Sequence, residues 1–200
     1  MLSKPDARIA ILASGGGSNA DKICAHFHTH PLIRVELIIT NRAEAGVRDV
    51  ASRHNIPSVY IPKKNWDHEE QVLPILQEAQ ITHIVLAGFL LLIPAWLIRN
   101  YSRHIINIHP ALLPRYGGKG MYGHHVHEAV KASGDLISGI TIHEVNEHYD
   151  EGNILFQKEV PLLTEDTAAD IAHKVLQTEH AYFSRVIESW ILGGGDVSMT

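Results

Sequence analysis

Several features that often reveal a protein's class are scarce in this sequence. Its 200 residues contain one cysteine, Cys24, so an internal disulfide framework is excluded. The longest apolar run, residues 84–98, is interrupted by Gly88 and Pro94 and falls short of the roughly 20 residues that cross a bilayer. Residues 1–8 lack the apolar segment of a secretion signal. We therefore expect a protein of the reducing cytoplasm without a membrane span.

The chain also lacks a large excess of positive or negative charge. The formal net charge is −5 and no long basic run is present, which argues against nucleic acid as the main partner. We find no internal repeat, low-complexity segment or linker. Hydrophobic residues make up 45% of the chain, which is enough for one well-covered core. The sequence thus predicts a single domain over residues 1–200.

Histidine, in contrast, is abundant, with 15 copies. Two groups raise the question of a metal site: His26, His28 and His30, and His124, His125 and His127. Neither group has a spacing typical of a tetrahedral zinc site with supporting residues. We therefore predict no metal.

Apolar strands alternate with amphipathic helices over the first half of the chain. Strands that are apolar throughout are typical of a parallel sheet covered on both faces. Two later strands follow each other without a helix between them, which indicates an antiparallel part. The predicted strands are 8–13, 34–40, 58–61, 83–87, 105–108, 137–143 and 153–160. The predicted helices are 19–28, 44–54, 67–79, 94–101 and 167–192. Residues 164–166 are predicted to cap the last helix, and Gly193–Gly195 to end it. The fold class is α/β and Rossmann-like.

Polar side chains stand at the end of the strand 105–108. Successive side chains alternate faces on an extended backbone, so Asn107 and His109 point the same way while Ile106 and Ile108 face the packed layer. Pro110 cannot donate to a sheet and ends the regular pairing. Ligands of open parallel sheets bind at such strand ends. An ordinary histidine bonded to a nearby carbonyl is the alternative reading.

Two further motifs accompany this pair. The segment Ser14–Asn19 is glycine-rich and joins the first strand to the first helix, where free N–H groups and the helix dipole favour an anion such as phosphate. A purely structural turn fits it equally well, since it matches neither the dinucleotide fingerprint nor the P-loop. Asp150 lies in a turn ending at Gly152 and offers His109 a carboxylate partner.

These residues resemble the glycinamide ribonucleotide transformylases, within the wider folate-dependent formyltransferase group. The resemblance runs from Ile9 to about Trp190. Its motifs are Gly15–Asn19, Leu86–Phe89, Asn107–Pro114, Gly139–His143 and Asp150–Gly152. The segment Asn107–Pro114 is specific to the wider group, and the Gly-Ser-Asn loop narrows it to the ribonucleotide branch.

The resemblance implies transfer of a formyl group from 10-formyltetrahydrofolate to the amine of phosphoribosylglycinamide, without a metal. It implies that Asn107 and a protonated His109 donate to the developing oxyanion, and that Asp150 raises the pKa of His109 and helps to pass a proton through water. A half of about residues 1–100 would serve the nucleotide phosphate, a half of about 101–192 the folate and catalysis, and residues 193–200 a tail. Oligomeric state stays open between monomer and homodimer.

The resemblance also implies binding roles. Gly17, Ser18 and Asn19 would hold the phosphate, Glu179 would meet the glycinamide end, and Leu90, Leu91, Leu92 and Ile93 would line the folate pocket together with Asn107. Four aliphatic residues after a buried strand are also usual for plain core. His143 would support the site or be an ordinary core histidine. We also expect a mobile lid over residues 115–127 and a cis peptide bond between Leu113 and Pro114.

Two other functions stay open at this point. A formyltetrahydrofolate deformylase would use water in place of the amine, and would have less use for the phosphate loop. A non-catalytic folate- or nucleotide-binding module is the other alternative, although binding alone has little need for Asn107, His109 and Asp150 together. Methionyl-tRNA formyltransferases share the Asn-x-His-Pro core, but their basic RNA-binding surface is not apparent here.

Overall fold

The computed structural model describes residues 7–195 and 197, so the predicted roles of residues 1–6 and of the end of the tail lie outside the described part. The chain divides into two compact units, Met1–Ile106 and Asn107–Thr200. The predicted functional halves remain predictions. No helix among the described residues is both long and apolar enough to span a membrane.

The first unit is built from alternating strands and helices. Its strands are β1 (Ala7–Leu12), β2 (Ile33–Thr40), β3 (Ser58–Tyr60) and β4 (His83–Leu86), and its helices are α1 (Ser18–Phe27), α2 (Val47–Arg53), α3 (Glu69–Glu78) and α4 (Ala95–Asn100). β1 pairs in parallel with β2 and β4, and β2 with β3. Helix α1 buries Ala20, Ile23, Cys24 and Phe27, the i, i+3, i+4, i+7 pattern of one helix face.

The boundary between the units falls within β5 (Ile105–His109). The second unit continues with α5 (His124–Ser133), β6 (Ile137–Glu144), β7 (Ile154–Pro161) and α6 (Ala168–Leu192). β6 and β7 are antiparallel, and the turn between them carries Asp150. Helix α6 begins with a capping box in which Thr167 and Asp170 bond each other's backbone N–H groups.

The strand order of the sheet is β3-β2-β1-β4-β5-β6-β7. The predicted α/β fold, mostly parallel with an antiparallel C-terminal part, is thereby confirmed. Two local features differ from the prediction. Helix α5 was not expected, and the cap of α6 is Thr167 rather than residues 164–166, because the Thr167 side chain reaches the Asp170 N–H. The expected cis bond between Leu113 and Pro114 is present.

Candidate active site

Strand β5 ends in two polar side chains beside a buried apolar layer. Ile106 and Ile108 are buried, as the alternation of a strand requires. His109 is only 3% exposed, and Asn107 is half-buried. A buried imidazole needs hydrogen-bond partners, so its contacts indicate what the ring can do.

Both ring nitrogens of His109 face polar groups. Nε2 donates to the backbone carbonyl of Tyr116 at 2.7 Å, and since a carbonyl only accepts, the proton must be on Nε2. Nδ1 lies 3.6 Å from Oδ2 of Asp150, which is longer than a direct hydrogen bond. The carboxylate therefore acts on the ring by its charge.

The pKa of His109 is lower than the usual value for a histidine. Burial disfavours the charged ring and outweighs the charge of Asp150 and the Tyr116 carbonyl, which both favour it; His143 adds to the lowering. The expectation that the pKa of His109 is raised towards the working pH is therefore wrong, although the charge of Asp150 does act in the raising direction. In the ligand-free protein at neutral pH the ring is therefore mainly neutral.

Asp150 is held by the turn between β6 and β7. Its side chain is 12% exposed, and Oδ2 accepts the Gly118 N–H at 2.9 Å. Burial raises the pKa of Asp150, but His143, the charge of His109 and the Gly118 N–H together bring this pKa below its usual value. Gly152 is required in this turn, since a Cβ there would overlap the carbonyl oxygen of Glu144. Asp150 is thus a carboxylate at neutral pH.

His143 on β6 connects Asn107 to Asp150. Its Nδ1 donates to the Glu144 carbonyl at 2.8 Å, so its Nε2 accepts from the Asn107 Nδ2 at 3.1 Å when the ring is neutral. The same Nε2 lies 3.6 Å from Oδ1 of Asp150. The ring orients the Asn107 amide with one of its N–H groups, which leaves the other N–H available for a ligand.

The segment after the cis peptide bond supplies contacts that the sequence reading missed. The Tyr116 carbonyl and the Gly118 N–H contact His109 and Asp150 through the backbone, so no side-chain pattern could have indicated them. A Cβ at Gly117 would collide with the Leu113 side chain, so the turn packs closely here. Residues 124–127 of the predicted lid over 115–127 belong to α5, and the mobility of this segment stays a prediction.

The glycine-rich loop lies in the first unit, between β1 and α1. Gly17 has φ +80°, and a Cβ there would come within 2.8 Å of Val47. Ser18 is exposed, Asn19 is half-buried, and no side chain caps the start of α1. Ser14 donates to Asn41 at 2.6 Å and accepts from the Leu90 N–H at 2.9 Å. Ser14 thereby ties the loop to the segments that follow β2 and β4.

The remaining predicted binding residues differ in exposure. Leu90 and Leu92 are 37% and 47% exposed, Leu91 is half-buried, and Ile93 is buried with the core. Glu179 lies on α6 and is 7% exposed. A groove of about 510 Å³ between β7 and α6 contains none of the predicted site residues.

Within the described residues, one group has the geometry to hold a metal ion. His124, His125 and Glu128 place ligand atoms within 4.8 Å of one another. All three side chains are exposed at the start of α5. Metal-bound histidines normally have a supporting hydrogen bond on the other ring nitrogen, and exposed pairs such as that of His125 and Glu128 are common without a metal.

Comparison with known proteins identifies the family of this arrangement. Residues 7–187 match the family model described as formyl transferase. The chain belongs to the formyl transferase family. The resemblance seen in the sequence motifs is thereby confirmed.

Relatives within the formyl transferase family carry more specific names. The chain is 43% identical over 188 residues to the chloroplastic phosphoribosylglycinamide formyltransferase of Vigna unguiculata, covering 91% of this chain and 60% of that protein. It therefore spans about three fifths of that relative's length. The crystal structure of phosphoribosylglycinamide formyltransferase from Anaplasma phagocytophilum is 31% identical, with a TM-score of 0.87 over 98% of this chain and 95% of that one.

A formyltetrahydrofolate deformylase from Pseudomonas syringae also has this fold. Its TM-score is 0.83, at 21% identity, over 96% of this chain and 63% of that one. At this identity the likeness concerns the fold alone.

Proposed function

We propose that this chain transfers the formyl group of 10-formyltetrahydrofolate to the amine of 5′-phosphoribosylglycinamide, a step of purine biosynthesis. The observation that carries the proposal is the 3.6 Å approach of the half-buried Asp150 to the buried His109 at the end of β5, with Asn107 on the same strand. Membership of the formyl transferase family and the names of its relatives support this choice of substrates.

The proposed reaction is an acyl transfer through a tetrahedral intermediate. The amine nitrogen forms a bond to the formyl carbon, the formyl oxygen becomes an oxyanion, and the neutral imidazole of His109 takes the amine proton. The imidazolium and the Asn107 amide then donate to the oxyanion, and a preorganised donor of this kind contributes roughly 3 kcal/mol. When the carbonyl re-forms, the bond to the folate nitrogen breaks and that nitrogen receives the proton.

Asp150 has an electrostatic role in this proposal. Its carboxylate favours the imidazolium that forms during the reaction, and the Gly118 N–H keeps the carboxylate ionised and oriented. In this proposal the Asp150 carboxylate also helps to pass the proton through a water between the two substrates.

Binding roles are proposed for three further sets of residues. Gly17, Ser18 and Asn19 hold the ribonucleotide phosphate, because α1 offers N–H groups without a side-chain cap. Glu179 meets the positively polarised glycinamide end. The exposed Leu90 and Leu92, with Leu91, Ile93 and Asn107, contact the folate. A cytoplasmic location, small-molecule substrates without nucleic acid, and a monomeric or homodimeric state complete the proposal.

A steady-state assay with and without phosphoribosylglycinamide tests this function. The donor carries an isotope label in its formyl group, so that formylated nucleotide and free formate are counted separately. We expect labelled nucleotide only when the ribonucleotide is present. Formate release at the same rate without the ribonucleotide would identify a deformylase, and binding of the folate without either product would identify a non-catalytic module.

A further inference from the structure

We propose that Tyr116 is a positioning residue whose anchored backbone carbonyl fixes the His109 ring and so makes Nδ1 the nitrogen that exchanges the proton with the substrate. This inference deepens the proposed function and rests on it for its kinetic test only. The orientation and tautomer of His109 can be measured in the ligand-free protein.

The Tyr116 side chain is fixed at its far end. Its hydroxyl donates to Oδ2 of Asp135 at 2.5 Å and lies 2.7 Å from the Ser133 Oγ. Arg115 binds the same Asp135 oxygen at 2.6 Å and lies over the Tyr116 ring. The hydroxyl is therefore tied to the end of α5 and to the residues that follow it, and the backbone at residue 116 is held from a distance by its own side chain.

The backbone of Tyr116 needs such an anchor. Its φ is +56°, in the left-handed region that a tyrosine seldom adopts and that persists only when surrounding contacts enforce it. In this conformation the carbonyl meets the His109 Nε2 at 2.7 Å. Loss of the hydroxyl contact would allow the backbone to relax and the carbonyl to leave the ring.

The hydrogen bond at Nε2 determines what the other nitrogen does. With the proton on Nε2, the neutral ring has a free electron pair on Nδ1, which can accept a proton from the attacking amine. The 3.6 Å gap to Asp150 leaves Nδ1 without a direct hydrogen bond. Nδ1 lies on the side of the carboxylate, whereas Nε2 is used by the protein itself.

Other titratable groups also influence this ring. Asp150, in the turn after β6, favours the protonated form, while His143 on β6 disfavours it. On α5, burial and secondly the charge of His109 lower the pKa of His127, so these two rings also interact. Tyr116 differs from all three groups. Its carbonyl determines which nitrogen of the His109 ring carries the proton, in addition to favouring the protonated ring.

The tautomer of His109 tests the inference without any substrate. We would label the histidines with ¹⁵N and assign the His109 ring signals as those that disappear in His109→Gln. These signals are recorded at neutral pH in the wild type, in Tyr116→Phe and in a control. The control Tyr60→Phe removes an exposed hydroxyl from β3. The wild type and the control should carry the proton on Nε2. Tyr116→Phe should show a substantial population protonated on Nδ1.

Kinetics then separate positioning from a structural role. For Tyr116→Phe we expect kcat to fall roughly tenfold, the lower end of the loss seen when a partner that orients a metal-bound histidine is removed. KM for both substrates should stay within about twofold, and the apparent pKa of the pH–rate profile should move down, because the carbonyl favours the protonated ring. Asp135→Asn, which weakens the anchor from its other end, should act in the same direction.

Clear results would overturn the inference. It fails if His109 in the wild type is protonated on Nδ1, or if Tyr116→Phe and Asp135→Asn, folded as judged by circular dichroism, keep the wild-type tautomer. A rise in KM with unchanged kcat and pH profile would assign Tyr116 to substrate binding instead. If the wild type formylates no ribonucleotide, the proposed function fails while the tautomer experiment still decides the role of Tyr116.

Discussion

Asp150 approaches His109 closely without forming a hydrogen bond to it. Its Oδ2 is 3.6 Å from the ring Nδ1 and 2.9 Å from the Gly118 N–H, so the carboxylate is fixed by backbone while its charge acts on the imidazole. Burial of His109 works against that charge. Burial therefore keeps the ring neutral at rest, while the charge of Asp150 would stabilise the imidazolium of the proposed reaction.

Asp150→Asn tests the charge of this pair while keeping the size of the side chain. We expect the pKa of His109 to fall further, since the charge that raises it is lost, and turnover to fall by about 10²- to 10⁴-fold. The pKa is measured by NMR titration of His109 and turnover by the formyl-transfer assay. Asp49→Asn on α2, which changes an exposed carboxylate, is the control. An unchanged His109 pKa in Asp150→Asn would remove the electrostatic role.

Gly17→Ala tests the constraint on the glycine-rich loop. The new Cβ would meet the Val47 backbone at 2.8 Å in a residue with φ +80°, and we expect the free energy of unfolding to fall by about 1–3 kcal/mol. Gly16→Ala provides the matched control, because a Cβ at Gly16 meets nothing within 4 Å. Urea unfolding of both variants measures the effect. Equal stability of the two would contradict the packing seen at Gly17.

The stability of the fold should depend on His83 in acid. Burial, and secondly the neighbouring His104, lower the pKa of His83 from 6.5 to about 4. The unfolded chain binds a proton below about pH 6.5 and the folded chain only near pH 4, so stability is lost as the pH falls through this window. The loss attributable to His83 is at most about 2 kcal/mol, after allowance for partial solvent screening.

His83→Gln removes this titration and serves as its test. The free energy of unfolding of both proteins is measured in urea at pH 7 and at pH 4.5. Relative to the wild type, the variant should be more stable at pH 4.5 than at pH 7. The carboxylates titrate in both proteins, so the comparison isolates His83. A difference that is the same at both pH values would show that His83 titrates normally in the folded chain.

Much of the sheet was predictable because its strands are short apolar runs between helical patterns. Helix α5 was missed for a physical reason. It follows a glycine-rich stretch, its N-cap residue is Gly123, which has no side chain to cap it, and it buries only Val126, His127 and Val130. Its apolar stripe is therefore too narrow to indicate a helix in the sequence.

The site was predictable where side chains carry the chemistry, and less so where the backbone does. Alternation along β5 indicated that Asn107 and His109 share a face, and the glycine turn indicated where Asp150 lies. The contacts of Tyr116 and Gly118 cannot be predicted from residue types. Every residue has a backbone carbonyl, and every residue except proline has a backbone N–H. The direction of the His109 pKa shift depends on how deeply the ring is buried, which a strand-end position alone does not reveal.

In the proposed reaction the imidazole of His109 acts on the formyl group. The most direct measurement is the single-turnover rate of formyl transfer by His109→Ala, at saturating donor and ribonucleotide, beside the exposed-histidine control His28→Ala. We predict a rate at least about 100-fold below the wild type with an unchanged circular dichroism spectrum, and a control equal to the wild type. A His109→Ala rate within a few-fold of the wild type would contradict the account.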